Sequence, residues 1–337
     1  MRTKTFIRRY LWRKCPDIHS IIFKDRFNEE EAKELESLVK KNMKDNIIIF
    51  FIALAVASGG VRAQQKQGNA SLPISRNQGK GTVVDQTRLR VWYALNADSI
   101  GDPDTYIDLQ RLDVGDSISK YYSWFVSNSD SLRADYSKKN PRAQSLPLWQ
   151  GPGGKVKDRW LQYEYSDFYI SRGILTEYAC MPMHLGRYNG WYTEEYPQMK
   201  WTIESKFRII LGYDCQQATC HWRGRDYVAW FAPEIPVRMG PWKLGGLPGL
   251  ILKAQDADSL YTFEAVKIEK PHQPIVKYAY DGYMKTPRTE LQKNQRAFAQ
   301  NWFKAVDFRR GSMNPDGSME LGEPLSVHTD FHPLELE

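Results

Sequence analysis

The 337-residue sequence predicts an α+β chain that is mostly β: a curved antiparallel sheet or half-open β-barrel with one C-terminal amphipathic helix packed on it. Three observations predict this. Short runs rich in Val, Ile, Tyr, Trp and Thr recur between turn signals, the pattern of an antiparallel meander. No ten-residue helical pattern separates those runs, which argues against a parallel βαβ sheet. A single capped, periodic helix follows the last of them.

The N-terminal region reads as processing rather than fold. Met43-Lys44-Asp45 precedes an apolar stretch from Ile47 to Ala57, and Val61-Arg62-Ala63 follows, the layout of a cleavable secretory signal over residues 43–63. Its apolar run is about half of the roughly 20 helical residues that span a bilayer, so removal is expected and no transmembrane segment in the mature chain. Translation is then expected from Met43, with residues 1–42 an extension of the gene model; the rival is a cytoplasmic arm on an uncleaved anchor. Of the 47 basic and 40 acidic residues, 13 and 8 fall in residues 1–63, so the net charge of +7 drops to +2 without them. Nucleic acid is therefore not expected as a partner, because such domains gather a large positive excess on one face.

Residues 64–81, rich in Gln, Asn, Ser and Gly, read as a flexible leader. A β-rich domain is expected over residues 82–310. Strand-like runs fall at Arg90–Leu95, Trp160–Tyr169, Ile174–Ala179, Lys200–Ile203, Phe207–Leu211, Gln216–Arg223, Asp226–Ala232, Leu250–Gln255 and Leu260–Glu269. Tyr106–Leu112 and Ile118–Phe125 fit strands around a turn, and Ser127–Asn140 fits either a loop or a helix. Thr286 before Pro287 is a good N-cap, and Leu291, Phe298, Trp302 and Ala305 then share one face of the helix that should cover the sheet. Residues 311–337, punctuated by Gly, Pro and Ser, read as a tail over the surface.

The stretch Gly240 to Asp256 joins two strands. Pro233-Glu234-Ile235-Pro236 ends the first, since proline donates no ladder hydrogen bond and restricts its predecessor. Leu247-Pro248-Gly249 has Pro and Gly where a type II turn prefers them, and the block is expected to be a wide connection plugged by a buried Trp or Leu. A phosphate-cradling loop is not supported, because a strand rather than a helix follows the glycines.

The motifs in this region resemble one family as a set. Gly212-Tyr213-Asp214-Cys215-Gln216-Gln217-Ala218-Thr219, Arg223-Gly224-Arg225-Asp226-Tyr227-Val228-Ala229-Trp230-Phe231, Pro233-Glu234-Ile235-Pro236, Gly240-Pro241-Trp242-Lys243 and Gly246-Leu247-Pro248-Gly249-Leu250-Ile251 resemble, in order and spacing, the GLPGLI family of Bacteroidetes, also called Porph_ging. The likeness extends from the strand near Val91, through Leu112 to Ser123, to the ending Pro333-Leu334-Glu335-Leu336. Cys220 departs from the pattern, standing where Thr or Ser is expected, and so does the long N-terminal extension. The resemblance implies an exported protein of the cell envelope, periplasmic or associated with the outer membrane; the family's molecular function is uncharacterised. A strand ending in Trp and Pro-Glu, a loop, a Leu-Pro step and an outgoing strand are also similar to the pattern in periplasmic lipoprotein carriers of the LolA type, which are half-open β-barrels closed by helices.

Candidate sites are few, and no catalytic residue or cofactor is assigned. Ten tryptophans follow residue 63. As a set they suggest an apolar groove for an acyl chain, lipid or peptide, or a face for an outer-membrane receptor, with the Asp226 to Gln255 block at its mouth and Trp230, Trp242 and Leu247 as candidate binding residues. Singly, each tryptophan fits core packing better than a groove. Arg223, Arg225 and Asp226, with Glu234 across the connection, fit either a polar cluster that grips an anionic ligand or ordinary surface ion pairs. A hydrolase pocket near Glu234 and His221 is the enzymatic alternative, although adjacent Cys220 and His221 should face opposite sides of a strand. Cys180, Met181, Met183 and His184 offer soft ligands for a metal such as Cu(I). The odd set Cys180, Cys215 and Cys220 predicts one disulfide and one spare thiol in an oxidising compartment.

Overall fold

The computed structural model describes residues 81–143, 166–181, 183–305, 307, 309–313, 319–324 and 331–336. The residues expected to form a signal peptide, those of the expected leader through residue 80, Trp149 and Trp160 lie outside the described residues. Lys66–Glu337 gather into one unit, to which all the elements below belong.

Sixteen strands are formed among the described residues. β1 (Thr82–Gln86) pairs with β13 (Pro274–Lys277) in a small ribbon, and β15 (Arg309–Met313) pairs with β16 (Met319–Pro324) in another. The remaining twelve make one sheet. They are β2 (Leu89–Leu95), β3 (Asp108–Val114), β4 (Ile118–Ser123), β5 (Ser166–Ser171), β6 (Ile174–Ala179), β7 (Gly190–Glu195), β8 (Thr202–Ile210), β9 (Tyr213–Trp222), β10 (Arg225–Ala232), β11 (Leu250–Asp256), β12 (Thr262–Glu269) and β14 (Met284–Lys285).

The order is β14-β7-β6-β5-β4-β3-β2-β12-β11-β10-β9-β8, so the sheet is open and not closed into a barrel. Every pairing is antiparallel except the short β14 on β7. Two meanders, β2 to β7 and β8 to β12, are sewn together by β2 against β12, with Phe263 opposite Leu95 and Ile268 opposite Val91. Three hairpins turn on a residue-glycine pair, Arg172-Gly173, Leu211-Gly212 and Arg223-Gly224, with both residues at positive φ. That backbone twists the same way as the strands it joins, which is why such turns hold tight hairpins.

One face carries the main core. Tyr93, Tyr121, Tyr227, Phe231 and Phe263 are buried there among Leu95, Leu112, Leu250 and Leu252. Burying each such side chain contributes about 2 kcal/mol. The other face of β3 and β4 is covered by helix α1 (Trp124–Lys139), whose Ser123 cap accepts from the Val126 amide at 3.2 Å. Phe125 and Val126 pack there with Ala94, Tyr106 and Cys180. The sequence left this segment open between loop and helix, because most of the positions it buries are polar, Ser127, Ser129, Asp130 and Arg133, and leave no apolar stripe to read.

Helix α2 (Arg288–Ala305) is the expected C-terminal helix, and its Leu291 and Phe298 are buried with Ala179, Met181, Leu185 and Tyr192. Its first hydrogen bond runs from the Leu291 amide to the Pro287 carbonyl. The helix therefore starts one residue beyond the expected cap; the Thr286 amide instead donates to Trp191 of β7. The apolar stripe does not continue to Ala305, which is exposed, because α2 kinks at Asn301. No helix among the described residues is long and apolar enough to cross a membrane.

Candidate functional site: a buried ionic clasp

The loop between β10 and β11 builds the site. The Gly245 amide region bridges to Met239, the Gly246 amide donates to the Arg238 carbonyl at 3.0 Å, and the Leu244 amide donates to Pro241 at 3.0 Å. This tight loop pushes Trp242, Lys243 and Leu244 inward, where each is less than 5 % exposed. Trp242 takes φ +55°, a conformation that costs a bulky residue about 1–3 kcal/mol and persists only where surrounding contacts impose it.

The glycines owe their places to close approach. A Cβ on Gly249 would stand 2.3 Å from the Ala232 carbonyl oxygen, and one on Gly245 would stand 2.9 Å from that of Arg238. The type II turn expected at Leu247-Pro248-Gly249 is not formed: positive φ belongs to Gly246, at +90°, and not to Gly249. Leu247, Leu250 and Ile251 are core residues, while Pro248 is exposed.

Lys243 is driven into a cluster of carboxylates. Its Nζ donates to the Tyr192 hydroxyl at 2.7 Å and to a carboxylate oxygen of Glu335, with Glu177 at 3.1 Å and Glu194 at 3.8 Å. Glu177 also accepts from the Ser166 and Tyr192 hydroxyls, both at 2.7 Å. Glu335 takes Arg223 at 2.6 Å, Arg288 at 2.5 Å and the Gln292 amide. Arg223 closes the ring on Glu194 at 2.5 Å.

Three cations thus meet three carboxylates. Burial alone pulls the Lys243 ammonium down, but the charges of Glu177, Glu335 and Glu194 outweigh it and hold its pKa above the usual value. Burial likewise opposes the Glu335 carboxylate, yet Lys243 and Arg223 drive its pKa down to about 2. Lys243 is a charged ammonium at neutral pH, without the lone pair a nucleophile needs, and Glu335 holds no proton to give. The arrangement fastens chain segments together. Arg223 comes from the β9–β10 turn, Glu194 from β7, Arg288 from α2 and Glu335 from the C-terminus. Beside the clasp a pocket of about 50 Å³ is walled by Phe168, Trp242, Gln295, Arg296, Phe331 and Pro333.

The residues singled out in the sequence are dispersed. Arg223 is in the clasp. Arg225 is buried and donates to Asp256 at 2.8 Å and to the Pro333 carbonyl at 2.6 Å. Trp242 packs edge-on to Trp222 at 5.3 Å, whereas Trp230 is half-buried with the Arg208 guanidinium over its ring. Glu234 is exposed, and His221 is an exposed partner of Asp226 at 2.7 Å. Cys220 is buried beside exposed His221, the opposite facing that strand geometry predicts.

The cysteines depart from expectation. No disulfide joins any two of Cys180, Cys215 and Cys220, and Cys180 lies in a different cluster from the other two. Cys180 and Met181, successive residues, likewise enter different clusters and do not converge as metal ligands; the side chains of Met183 and His184 lie outside the described residues. No group of three His, Cys, Asp or Glu suited to a metal occurs among the described residues. The expected tail is at the surface over Glu320–Glu323, which are exposed, but its end is not, since Leu334 and Glu335 are buried. The sequence reading missed Glu177, Tyr192, Glu194, Lys243, Arg288 and Glu335 as site residues. Lys243 and Glu335 did stand within the family motifs, Gly240-Pro241-Trp242-Lys243 and Pro333-Leu334-Glu335-Leu336.

Fold and site together define a class: an open antiparallel sheet whose interior is filled by a loop of its own and locked by ion pairs. The profile described as "Protein of unknown function (Porph_ging)" matches residues 223–253, the same family whose motifs the sequence resembles. Those residues run from the clasp arginine through the inward loop. No curated protein matches the chain. Two solved structures of PNGF-II are similar to it, in the P21 and C2 crystal forms, at 13 % and 14 % identity and TM-scores of 0.41 and 0.38. They cover 65 % and 64 % of this chain, which spans about a third of theirs, 34 % in each case.

Proposed function

We propose that the protein is an exported cell-envelope protein that binds a partner protein and performs no catalysis of its own, in accessory service at the outer membrane. Export rests on the signal-like residues 43–63. Partner binding rests chiefly on one observation: β8, the last strand of the sheet, exposes Ile203, Phe207 and Ile209 at 48, 66 and 71 %, and Leu211 in the turn that follows is 45 % exposed.

Those side chains act as a set. Ile203 stands opposite Ala218 and Phe207 opposite Gln216, so two extra residues bulge from β8 between them. Because two is even, the alternation survives, and Ile203, Phe207 and Ile209 share a face. An edge strand also offers unpaired backbone groups to an added strand. With Lys206 and Arg208 against Glu204, the fitting partner presents an extended apolar strand bearing acidic side chains.

Two further observations support binding a protein over an apolar ligand or hydrolysis. Tyr93, Tyr121, Tyr227, Trp242 and Leu247 already occupy the core where an acyl chain would lie. The convergent ionisable groups neutralise one another in place. The test is capture of an envelope partner by the wild-type chain and by a Phe207→Asp, Ile209→Asp variant, with hydrogen exchange read on β8. Loss of capture in a variant with an unchanged circular dichroism spectrum supports the reading; undiminished capture removes it.

A further inference from the structure

The C-terminal segment from Phe331 to Leu336 forms no strand, yet its backbone is read residue by residue. The Tyr261 hydroxyl donates to the His332 carbonyl. Arg225 donates to the Pro333 carbonyl through Nε at 3.0 Å and Nη2 at 2.6 Å. The Tyr227 hydroxyl donates to the Leu334 carbonyl at 3.0 Å. The Leu336 amide in turn donates to the Arg223 carbonyl at 3.0 Å.

Two side chains are read as well. Leu334, 4 % exposed, enters the main core, and Glu335 enters the cage of Lys243, Arg223 and Arg288. His332 and Leu336 face solvent. Three successive carbonyls taken by side chains, one apolar socket and one cationic socket make up the manner in which a protein holds an extended peptide ligand, rather than the ladder by which a sheet takes in a strand.

We propose that this cleft is a recognition site for an extended peptide carrying a Pro-Leu-Glu step, and that residues 331–336 are its resident occupant, displaceable by a partner's peptide of the same chemistry. Pro supplies a carbonyl on a backbone already restricted to extended conformations, Leu fills the socket and Glu completes the charge balance. A peptide lacking the carboxylate would leave Lys243 and Arg288 short of a buried counter-charge, which is the source of specificity. The site is separate from β8, so either can fail without the other.

The probe is a fluorescein-labelled peptide of residues 331–336, followed by anisotropy. The full chain carrying Leu334→Ala, which loosens the resident segment without touching the cage, is expected to bind it at least tenfold more tightly than the wild-type chain. The same peptide with Glu335→Gln is expected to bind at least tenfold more weakly. No saturable binding by the folded variant overturns the proposal. Should that variant not fold, hydrogen exchange on the unaltered chain decides: the Leu336 amide is expected to exchange at least a hundredfold faster than the β10 amides, and equal rates, showing a segment released only on global unfolding, overturn it. A wild-type dimer rendered monomeric by the peptide overturns the occupancy in cis in favour of a second copy's tail.

Discussion

The Arg223 guanidinium lies 2.5 Å from the Glu194 carboxylate, although seven strands, β6, β5, β4, β3, β2, β12 and β11, separate β7 from β10 in the sheet. The sheet curls until its two halves meet, and it is held there by an ion pair where a barrel would use a ladder of hydrogen bonds. Lys243 and Glu335 then lock that meeting from inside.

Lys243→Ala is expected to destabilise the protein by about 3–5 kcal/mol, because it strips the central cation from buried carboxylates. Lys243→Met combined with Glu335→Gln is expected to cost less than the sum of the two single changes. Urea unfolding midpoints, at unchanged slope, give both numbers; additive losses would show that the pair is not coupled.

The clasp sets an acid limit. Glu335 has an ordinary value of 4.5 unfolded and about 2 folded, with Lys243, Arg223 and Arg288 facing it. A lowered pKa contributes stability that is complete above the unfolded value and lost as pH falls through the folded one. The contribution is on the order of 3 kcal/mol and disappears between about pH 5 and pH 2. Lys243 is shifted the other way, upward, so its contribution is present below its unfolded value of 10.5 and lost as pH rises past its folded one. Melting temperature against pH is expected to show the acid fall in the wild type and a shallower one in Glu335→Gln.

Gly249→Ala is expected to cost about 1–3 kcal/mol through the clash with the Ala232 backbone. Gly101→Ala, exposed and with nothing within 4 Å of the added methyl, is expected to change stability by less than about 0.5 kcal/mol. Thermal unfolding of the two variants side by side separates close approach from any general need for glycine.

Thiol titration checks the cysteines. Burial pushes Cys215 up to about 11 and Cys220 up to about 12, so neither forms the reactive thiolate near neutral pH. With Cys180 also buried, a chromogenic disulfide reagent is expected to find these three only after denaturation, and all three then. Recovery of a single thiol from them would establish a disulfide.

Phe207→Asp is expected to shift stability by less than about 0.5 kcal/mol, because the side chain is two-thirds exposed and supports no core. A loss above 2 kcal/mol by denaturant unfolding would show that the β8 face is covered by the chain itself.

What the sequence determined by itself was local. Alternating apolar runs placed β6 at its observed bounds and β10, β11 and β12 within two residues of theirs, because side-chain period and turn residues are set by neighbours in the chain. Arg223-Gly224 turned where its glycine permitted, and Leu291 and Phe298 faced inward as their spacing required. Tertiary structure decided the rest. α1 is a helix without an apolar stripe because it buries Ser127, Ser129, Asp130 and Arg133 alongside Phe125 and Val126, and Gly249 is a glycine because Ala232, seventeen residues away, leaves no room for more. Glu177, Glu194, Lys243, Arg288 and Glu335 carry no common spacing. Ion pairs act through distance in space, and only the curl of the sheet made these residues neighbours.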